Sequence, residues 1–190
     1  MKRDLIKFNL ESSFLSCEKD TETILRKLFV TSQPHSDMLK KLLVINTKDC
    51  LDSDRYDEII KSYDLARLRE EGFIRLEPKF QLKEHDDVKS YLHIAFCDFT
   101  SNATNPEFRD CSVVFDIISH SDYWDVGNYR MRPLKILGIV DGILNKSKMS
   151  GIGTFNFLGA TNFTIDETFS GYTLMYRAIH GSDDLIPPAE

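Results

Sequence analysis

The chain has 190 residues, of which 42% are hydrophobic and 28% are charged, and its formal net charge is −6 at pH 7. This length and composition are typical of one globular domain, or of one domain with a substantial extension, and they exclude an intrinsically disordered chain. The acidic balance argues against a sequence-reading DNA-binding protein, which usually carries a basic face. No apolar run approaches the roughly 18 residues that a membrane-spanning helix needs, and the N-terminus lacks the apolar stretch of a signal peptide.

The cysteines predict a reducing compartment. They are far apart in the sequence and include no Cys-x-x-Cys pair. Ordinary buried or half-buried thiols are therefore expected at all of them. These cysteines are Cys17, Cys50, Cys97 and Cys111.

The first third of the chain predicts three helices. Asp20 is the expected N-cap of the first helix, and the run 31–34 with its proline ends that helix. A second short helix is expected after a cap at Ser36. A third amphipathic segment covers 56–68, and Gly72 is a natural terminator for it.

After this point the apolar period changes from near four to two, which is typical of strands. The segments 91–99 and 111–119 predict two strong strands that pair as an antiparallel hairpin across the long loop 101–110. A weaker strand is expected over 73–82, where Pro78 interrupts the pattern. The last expected elements are the strands 154–160 and 171–178, which form a closing hairpin.

One helix is predicted between the two hairpins, over 133–145. Pro133 stands in the first turn, where proline is tolerated, and apolar residues at helical spacing form a buried stripe. Gly138 and Gly142 each cost a helix roughly 1 kcal/mol relative to alanine. That cost indicates a close approach of another backbone. Packing onto the sheet within the monomer is the favoured reading, and a subunit contact is the alternative.

The order of elements predicts an α+β fold, with a mostly antiparallel sheet packed against one main helix and a helical N-terminal extension. We expect the helical extension to cover 1–72 and the α+β core to cover 73–181. The segment 182–190, with two acidic residues near its start and one at its end, is expected to be a flexible tail.

A group of carboxylates is the best candidate for a metal site. Asp116, His120, Asp122 and Asp125 follow each other along one strand and the next loop, and Asp98 lies on the neighbouring strand. Such groups can hold a divalent cation that activates water, so a metal-dependent hydrolase or nuclease using Asp98, Asp116 and Asp122 is one alternative. However, the spacing matches no metal motif, and phosphate-binding loops and nucleophile elbows are absent from the sequence. We therefore expect a solvated strand-to-helix loop, no catalytic residue, no metal and no cofactor.

The segment 123–132 is the richest in residues that form protein interfaces. It contains Tyr123, Trp124, Tyr129, Arg130 and Arg132. Tryptophan, tyrosine and arginine are enriched at the energetic centres of interfaces, so a protein interface is one reading. The other reading is that the aromatic residues cap the core and the arginines pair locally. A nucleic-acid groove also uses such residues, but the acidic side chains of the segment and the net charge disfavour it.

Several residues in the second half of the chain occur in an order shared with a known family. They are Phe108-Arg109-Asp110 before the strand Val113–Ile117, then His120, Asp122 and Trp124, Arg132-Pro133 with Ile136, Ile139 and Asp141, Gly151-Ile152-Gly153, Phe157, and Gly171 with Leu174 and Tyr176. In this order the stretch from Tyr91 to Gly181 resembles bacteriophage tail-completion or tail-terminator proteins of the head-to-tail connector. The resemblance covers about half of the chain, and the helical first third departs from the family pattern.

This resemblance implies a non-enzymatic virion protein of the phage neck, assembled in the host cytoplasm. It implies a ring, expected to be a hexamer, that terminates the tail tube and contacts the tail-tube protein and the head-connector or stopper protein. DNA would pass through the lumen without specific binding, and an acidic protein is suited to this because it does not hold phosphate. Loops such as 101–110, with Asn102, Asn105 and Arg109, suit contacts to the neighbouring rings. A general cytoplasmic adaptor is a further alternative.

Overall fold

The computed structural model describes residues 16–52, 54–76, 89–103, 109–149 and 152–180. The helices are α1 (Ser16–Arg26, continued by a π-helical turn at Lys27–Thr31), α2 (His35–Val44), α3 (Asp57–Lys61), α4 (Leu65–Glu70) and α5 (Arg132–Leu144), with 3-10 turns at Asp54–Tyr56 and Ser121–Tyr123. The strands are β1 (Ile74–Arg75), β2 (Ser90–Ser101), β3 (Arg109–His120), β4 (Lys148–Met149), β5 (Gly153–Thr154), β6 (Asn156–Thr164) and β7 (Phe169–His180). This mixed α+β architecture confirms the predicted fold class.

The main sheet has five strands in the order β1-β2-β3-β7-β6. Only β1 runs parallel to its neighbour, and the other pairs are antiparallel. The predicted central hairpin is confirmed, with Leu92 opposite Ile117 and Ile94 opposite Phe115. The closing hairpin is also confirmed, and its second strand lies beside β3, which leaves β6 at the edge. Of the weaker predicted strand, the described part is β1, while residues 77–88 lie outside the described residues.

One hydrophobic core joins the helices of the first third to one face of the sheet. Leu28 and Leu42 come from the helices, Phe115 and Leu174 come from the central strands, and all four are fully buried in the same cluster. The predicted extension and the predicted core therefore share their interior, while the boundary near residue 72 stays a prediction. The predicted tail 182–190 lies outside the described residues. Among the helices that are described, none is long and apolar enough to cross a membrane.

The helix ends in the first third differ from the predicted ones. Asp20 lies within α1 and is buried, so it is not an N-cap. Ser36 is also inside its helix, because α2 already begins at His35 after Pro34. The predicted third helix is two helices, since Asp64 caps a new one by accepting a hydrogen bond from the backbone N–H of Arg67 at 2.8 Å.

The predicted main helix is confirmed as α5, which packs against β3 and β7. Its side chains Ile136, Val140 and Leu144 are fully buried. Gly138 and Gly142 lie on the opposite, exposed side, where an added Cβ would meet nothing within 4 Å. The prediction that these glycines pack closely onto the sheet within the monomer is therefore wrong, because no other backbone of the described chain approaches them.

Candidate interface

The interface-rich segment folds into a small closed loop just before α5. Asp125 and Met131 form a β-bridge at its base. Inside this bridge, the Val126 N–H donates to the Arg130 carbonyl at 2.9 Å, and the Arg130 N–H donates to the Gly127 carbonyl at 2.9 Å. Val126 is fully buried and anchors the loop in the core. The loop is therefore a fixed projection and not a loose connection.

The tip of this loop adopts a backbone conformation that non-glycine residues rarely use. Gly127, Asn128 and Tyr129 have φ values of 76°, 50° and 60° in succession. Such conformations persist only where the surrounding structure fixes them. The Tyr129 side chain at this tip is completely exposed, at 105% of its reference surface. This placement leaves the Tyr129 ring accessible to a partner, and an interface at Tyr129 stays a prediction.

Arg132 is buried, and its guanidinium connects three parts of the chain. Its Nη1 donates to the carbonyls of Leu42 at 2.5 Å and Ile45 at 2.9 Å. Its Nη2 donates to the Thr47 carbonyl at 2.9 Å, and its Nε donates to the Tyr123 carbonyl at 2.7 Å. Two of these acceptors belong to the C-terminal end of α2, where helix carbonyls lack partners and the helix dipole favours a cation. Arg132 thus caps α2 from the first residue of α5.

This role removes Arg132 from the predicted interface. Its side chain has 0% exposure, so it cannot present its guanidinium to a partner. Burial lowers the pKa of the guanidinium, and the group still remains protonated because arginine does not titrate in proteins. Sequence reasoning missed this because a capping arginine and an interface arginine have the same local sequence. The distinction depends on α2, roughly 90 positions earlier in the chain.

The other members of the segment lie between the core and the surface. Tyr123 is half-buried, and Trp124 is half-buried with its ring centroid 6.4 Å from that of Tyr172 on the sheet. Arg130 is partly exposed and forms a bidentate ion pair with Asp52, with one N–O distance of 3.1 Å. Arg130 thus forms an ion pair within the monomer, as the alternative reading predicts. Tyr123 and Trp124 each keep part of their surface exposed to solvent.

The second group of predicted interface residues lies far from the first. Asn102 is half-buried and donates to Asp110 at 2.8 Å, and Arg109 is half-buried at the start of β3. Asn105 lies outside the described residues. The segment 123–132 follows the other end of β3, which at the usual rise per residue is about 35 Å away. The structure therefore separates the two groups onto opposite ends of the sheet.

The predicted carboxylate group is also dispersed. Asp116 lies in the middle of β3 on the face of the sheet away from α5, where the His93 ring Nδ1 lies 2.9 Å from one oxygen and the Thr173 hydroxyl donates to the other at 2.6 Å. Burial raises the pKa of Asp116, but these hydrogen bonds outweigh it and hold the pKa below its usual range. Asp116 is thus held as a carboxylate by its neighbours on the sheet.

The two other acids of the hydrolase alternative do not approach Asp116. Asp98 is exposed at the irregularity of β2, five positions beyond His93, which corresponds to about 16 Å along the strand. Asp122 is exposed beyond the opposite end of β3, where its backbone N–H donates to His120 Nδ1 at 3.2 Å. Across the described ranges, no group of three His, Cys, Asp or Glu side chains could hold a metal ion.

Sequence reasoning missed a groove of about 540 Å³ between α2 and the exposed side of α5. We call it the α2–α5 groove. Tyr129 of the exposed loop is among the residues that line it. Its lining is mostly apolar, and none of the described residues that form it is acidic. These residues are His35, Met38, Tyr129, Arg130, Met131, Leu134, Lys135, Gly138, Ile139, Gly142 and Ile143. The feature of the sequence that could have indicated the groove is the pair Gly138 and Gly142, whose missing side chains leave the floor of the groove open.

Comparison with known proteins identifies the class and then the family. The model of a phage-derived family of the Bacillus prophage type matches residues 36–178, from α2 to β7, so the protein is phage-related. Because this match covers well over half of the chain, the chain belongs to that family, the YomW family. The matched span contains the whole α2–α5 groove except His35. Searches of curated proteins and of solved structures gave no match.

Proposed function

We propose that this protein is a structural component of a phage neck. In this proposal it forms a ring that terminates the tail tube and joins it to the head connector. Membership of a phage-derived family and the resemblance to tail-terminator proteins support this role. The observation that carries it is Tyr129, which a rigid loop holds completely exposed beside an apolar groove. An exposed aromatic residue on a fixed loop is suited to protein–protein contact, since little side-chain entropy is lost on binding.

The distribution of apolar surface supports assembly through two different patches. Met131 and Leu134 are exposed beside Tyr129 at one patch. Phe157 and Leu158 are exposed on the edge strand β6, which forms a second patch. Two different patches on one chain produce head-to-tail contacts, and such contacts close into rings when the rotation between subunits permits it.

The partners and the location are parts of the same proposal. We expect a homo-oligomeric ring with six subunits. This ring would contact the tail-tube protein and the head-connector or stopper protein. DNA would pass through the lumen without specific binding, as suits a chain of net charge −6. The ring would assemble in the host cytoplasm and remain in the neck of the virion. No catalytic activity is part of this proposal, and the separation of Asp98, Asp116 and Asp122 favours this choice over a hydrolase.

Deletion of the gene from its prophage tests this function. After induction we expect DNA-filled heads without tails and free tails of irregular length, and expression of the chain from a plasmid should restore joined particles. Electron microscopy of the lysate measures both outcomes. Joined particles with tails of normal length in the deletion would show that the chain is not the tail terminator. Mg²⁺-dependent DNA cleavage that disappears in Asp116→Ala would instead support the nuclease alternative.

A further inference from the structure

We propose that the α2–α5 groove of one copy receives the turn between β6 and β7 of a neighbouring copy. This inference rests on the proposed ring, for which it supplies the contact between subunits. The turn consists of residues 165–168, all of which are exposed. The groove and the turn are different surfaces of the same chain, so the contact is of the head-to-tail kind that a ring requires.

Two glycines without side chains form the floor of the groove. Gly138 and Gly142 are one helical turn apart on the exposed side of α5, and neither has an atom within 4 Å of the place where a Cβ would stand. Met38 and Leu134 contribute apolar side chains to the lining. A groove of about 540 Å³ with this lining has room for an apolar side chain, and a leucine side chain at Gly142 would occupy part of that space.

The turn between β6 and β7 presents such a side chain. Ile165 is 44% exposed at a position where turns usually carry small polar residues. The turn is rigid, because Asp166 accepts hydrogen bonds from Thr168 N–H at 2.7 Å and Phe169 N–H at 2.8 Å, and the Ile165 N–H donates to the Phe169 carbonyl at 2.9 Å. A preorganised turn loses little conformational entropy when it binds, which favours insertion into a groove.

The charges of the groove and of the turn are complementary, which favours the turn as the occupant of the groove. The groove carries Lys135 and Arg130 and no acidic residue in its described lining, although the whole chain is acidic. The turn carries Asp166 and Glu167 directly beside Ile165. Arg130 is already paired with Asp52, so Lys135 and Glu167 are the two charges left to pair across the contact. Opposite charges at the rim of an apolar contact fix its register and suppress wrong partners.

The described lining of the groove includes no residue of the turn from the same chain. Within the described residues the turn contacts Ser121, whose N–H donates to the Thr168 carbonyl at 2.8 Å, and Ile165 stays exposed. A second copy is thus the source of the turn. Apart from His35, the residues of both surfaces lie within the matched family span 36–178.

Charge exchange tests the contact in the full-length protein. Sedimentation velocity from micromolar to about 1 mM protein, where even weak self-association is measurable, gives the association constant. We expect Lys135→Glu and Glu167→Lys each to weaken self-association by about tenfold or more, and the double variant to restore most of it. Lys148→Glu and Glu70→Lys, exposed charge reversals elsewhere on the surface, are the matched controls and should leave association unchanged.

A second variant separates the groove from its charges. Gly142→Leu fills the floor without touching any charge, and it should abolish self-association while the monomer stays folded by circular dichroism. A wild-type protein that remains monomeric up to about 1 mM, reversals that act no differently from the controls, or a double variant that restores nothing would each overturn the inference. If Lys135→Glu still restores joined particles to the deletion strain, this contact is wrong and the neck function stands. If the charge exchange behaves as expected but deletion leaves normal particles, the contact stands and the neck function is wrong.

Discussion

On the side of α5 that faces the sheet, Ile136, Val140 and Leu144 are fully buried, whereas on the opposite side Gly138 and Gly142 have nothing within 4 Å of an added Cβ. The buried side stabilises the monomer through the hydrophobic effect. The exposed side lowers helix stability, since glycine is the weakest helix former after proline. The buried residues of α5 thus have a clear role in stabilising the monomer, whereas the monomer gives no reason for the two exposed glycines. This difference favours a role for the exposed side outside the monomer.

The N-terminal end of α5 shows the same division within two residues. Arg132 points inward and caps α2, while Arg130 lies on the rim of the groove and pairs with Asp52. Replacement of Arg132 by methionine should lower the free energy of unfolding by roughly 3–5 kcal/mol, because several buried carbonyls would lose their donor. Urea unfolding of the purified protein measures this loss.

Arg130→Met is the matched control for this prediction. Its ion pair with Asp52 is partly exposed, so its loss should cost less than about 1 kcal/mol. Equal losses for the two arginines would mean that Arg132 does not hold α2 and α5 together. In that case the division between an inward and an outward residue at this end of the helix would be wrong.

The buried stripe of α5 allows the next test. Ile136→Ala should lower the free energy of unfolding by roughly 2–5 kcal/mol, as other large-to-small changes in cores do. Leu134→Ala, two residues earlier on the groove side and partly exposed, should cost less than about 1 kcal/mol. Thermal or urea unfolding of both variants measures the contrast. Similar losses would show that the groove side is also packed in solution.

Sequence reasoning predicted the parts of the fold that depend on local periodicity. The alternation in β2 and β3 and the stripe of α5 led to the correct hairpin and helix, because side chains at period two or 3.6 share one face. Close approaches between distant segments were not predictable in this way. Among the described glycines the closest approach to another backbone is at Gly171, where an added Cβ would lie 1.8 Å from the Ile117 carbonyl oxygen, and no such approach occurs at Gly138 or Gly142.

The candidate site was predictable to a smaller extent. The composition of the segment 123–132 predicts a protein contact, and the structure leaves Tyr129 fully exposed, while the contact itself stays a prediction. The burial of Arg132 depends on the position of α2, and the groove depends on how α2 lies against α5. Neither can be read from a local pattern, because both require the relative placement of segments about 90 residues apart.

The two faces of the sheet also differ, because one packs against α5 and the other carries a hydrogen-bonded carboxylate. Asp116 lies on the face away from α5 and is held by His93 and Thr173. Asp116→Asn should lower the free energy of unfolding by roughly 1–3 kcal/mol at neutral pH, since a charge-assisted hydrogen bond is lost. The exposed Asp122→Asn should change it by less than about 0.5 kcal/mol.

The loss in Asp116→Asn should depend on pH in one direction. The pKa of Asp116 is lowered in the folded chain, so its contribution to stability is complete above the unfolded value of about 3.9 and is lost as the pH falls through the folded value. The difference between wild type and variant should therefore be constant above about pH 5 and shrink below about pH 4. A difference that grows with acid would show that the carboxylate is not stabilised by His93 and Thr173.

The smallest expected effect is a gain in stability on the groove side of α5. Gly142→Ala should raise the free energy of unfolding by roughly 0.5–1 kcal/mol, because alanine is a better helix former and its Cβ would meet nothing within 4 Å. Gly171→Ala, where the Cβ would collide with the Ile117 carbonyl, is the opposite case and should be strongly destabilising. Calorimetry of both variants measures the two signs. A loss of stability in Gly142→Ala would mean that another part of the chain covers this side of the helix. A gain in stability together with weaker self-association would show instead that the glycine is kept for the contact between copies, at a small cost to the monomer.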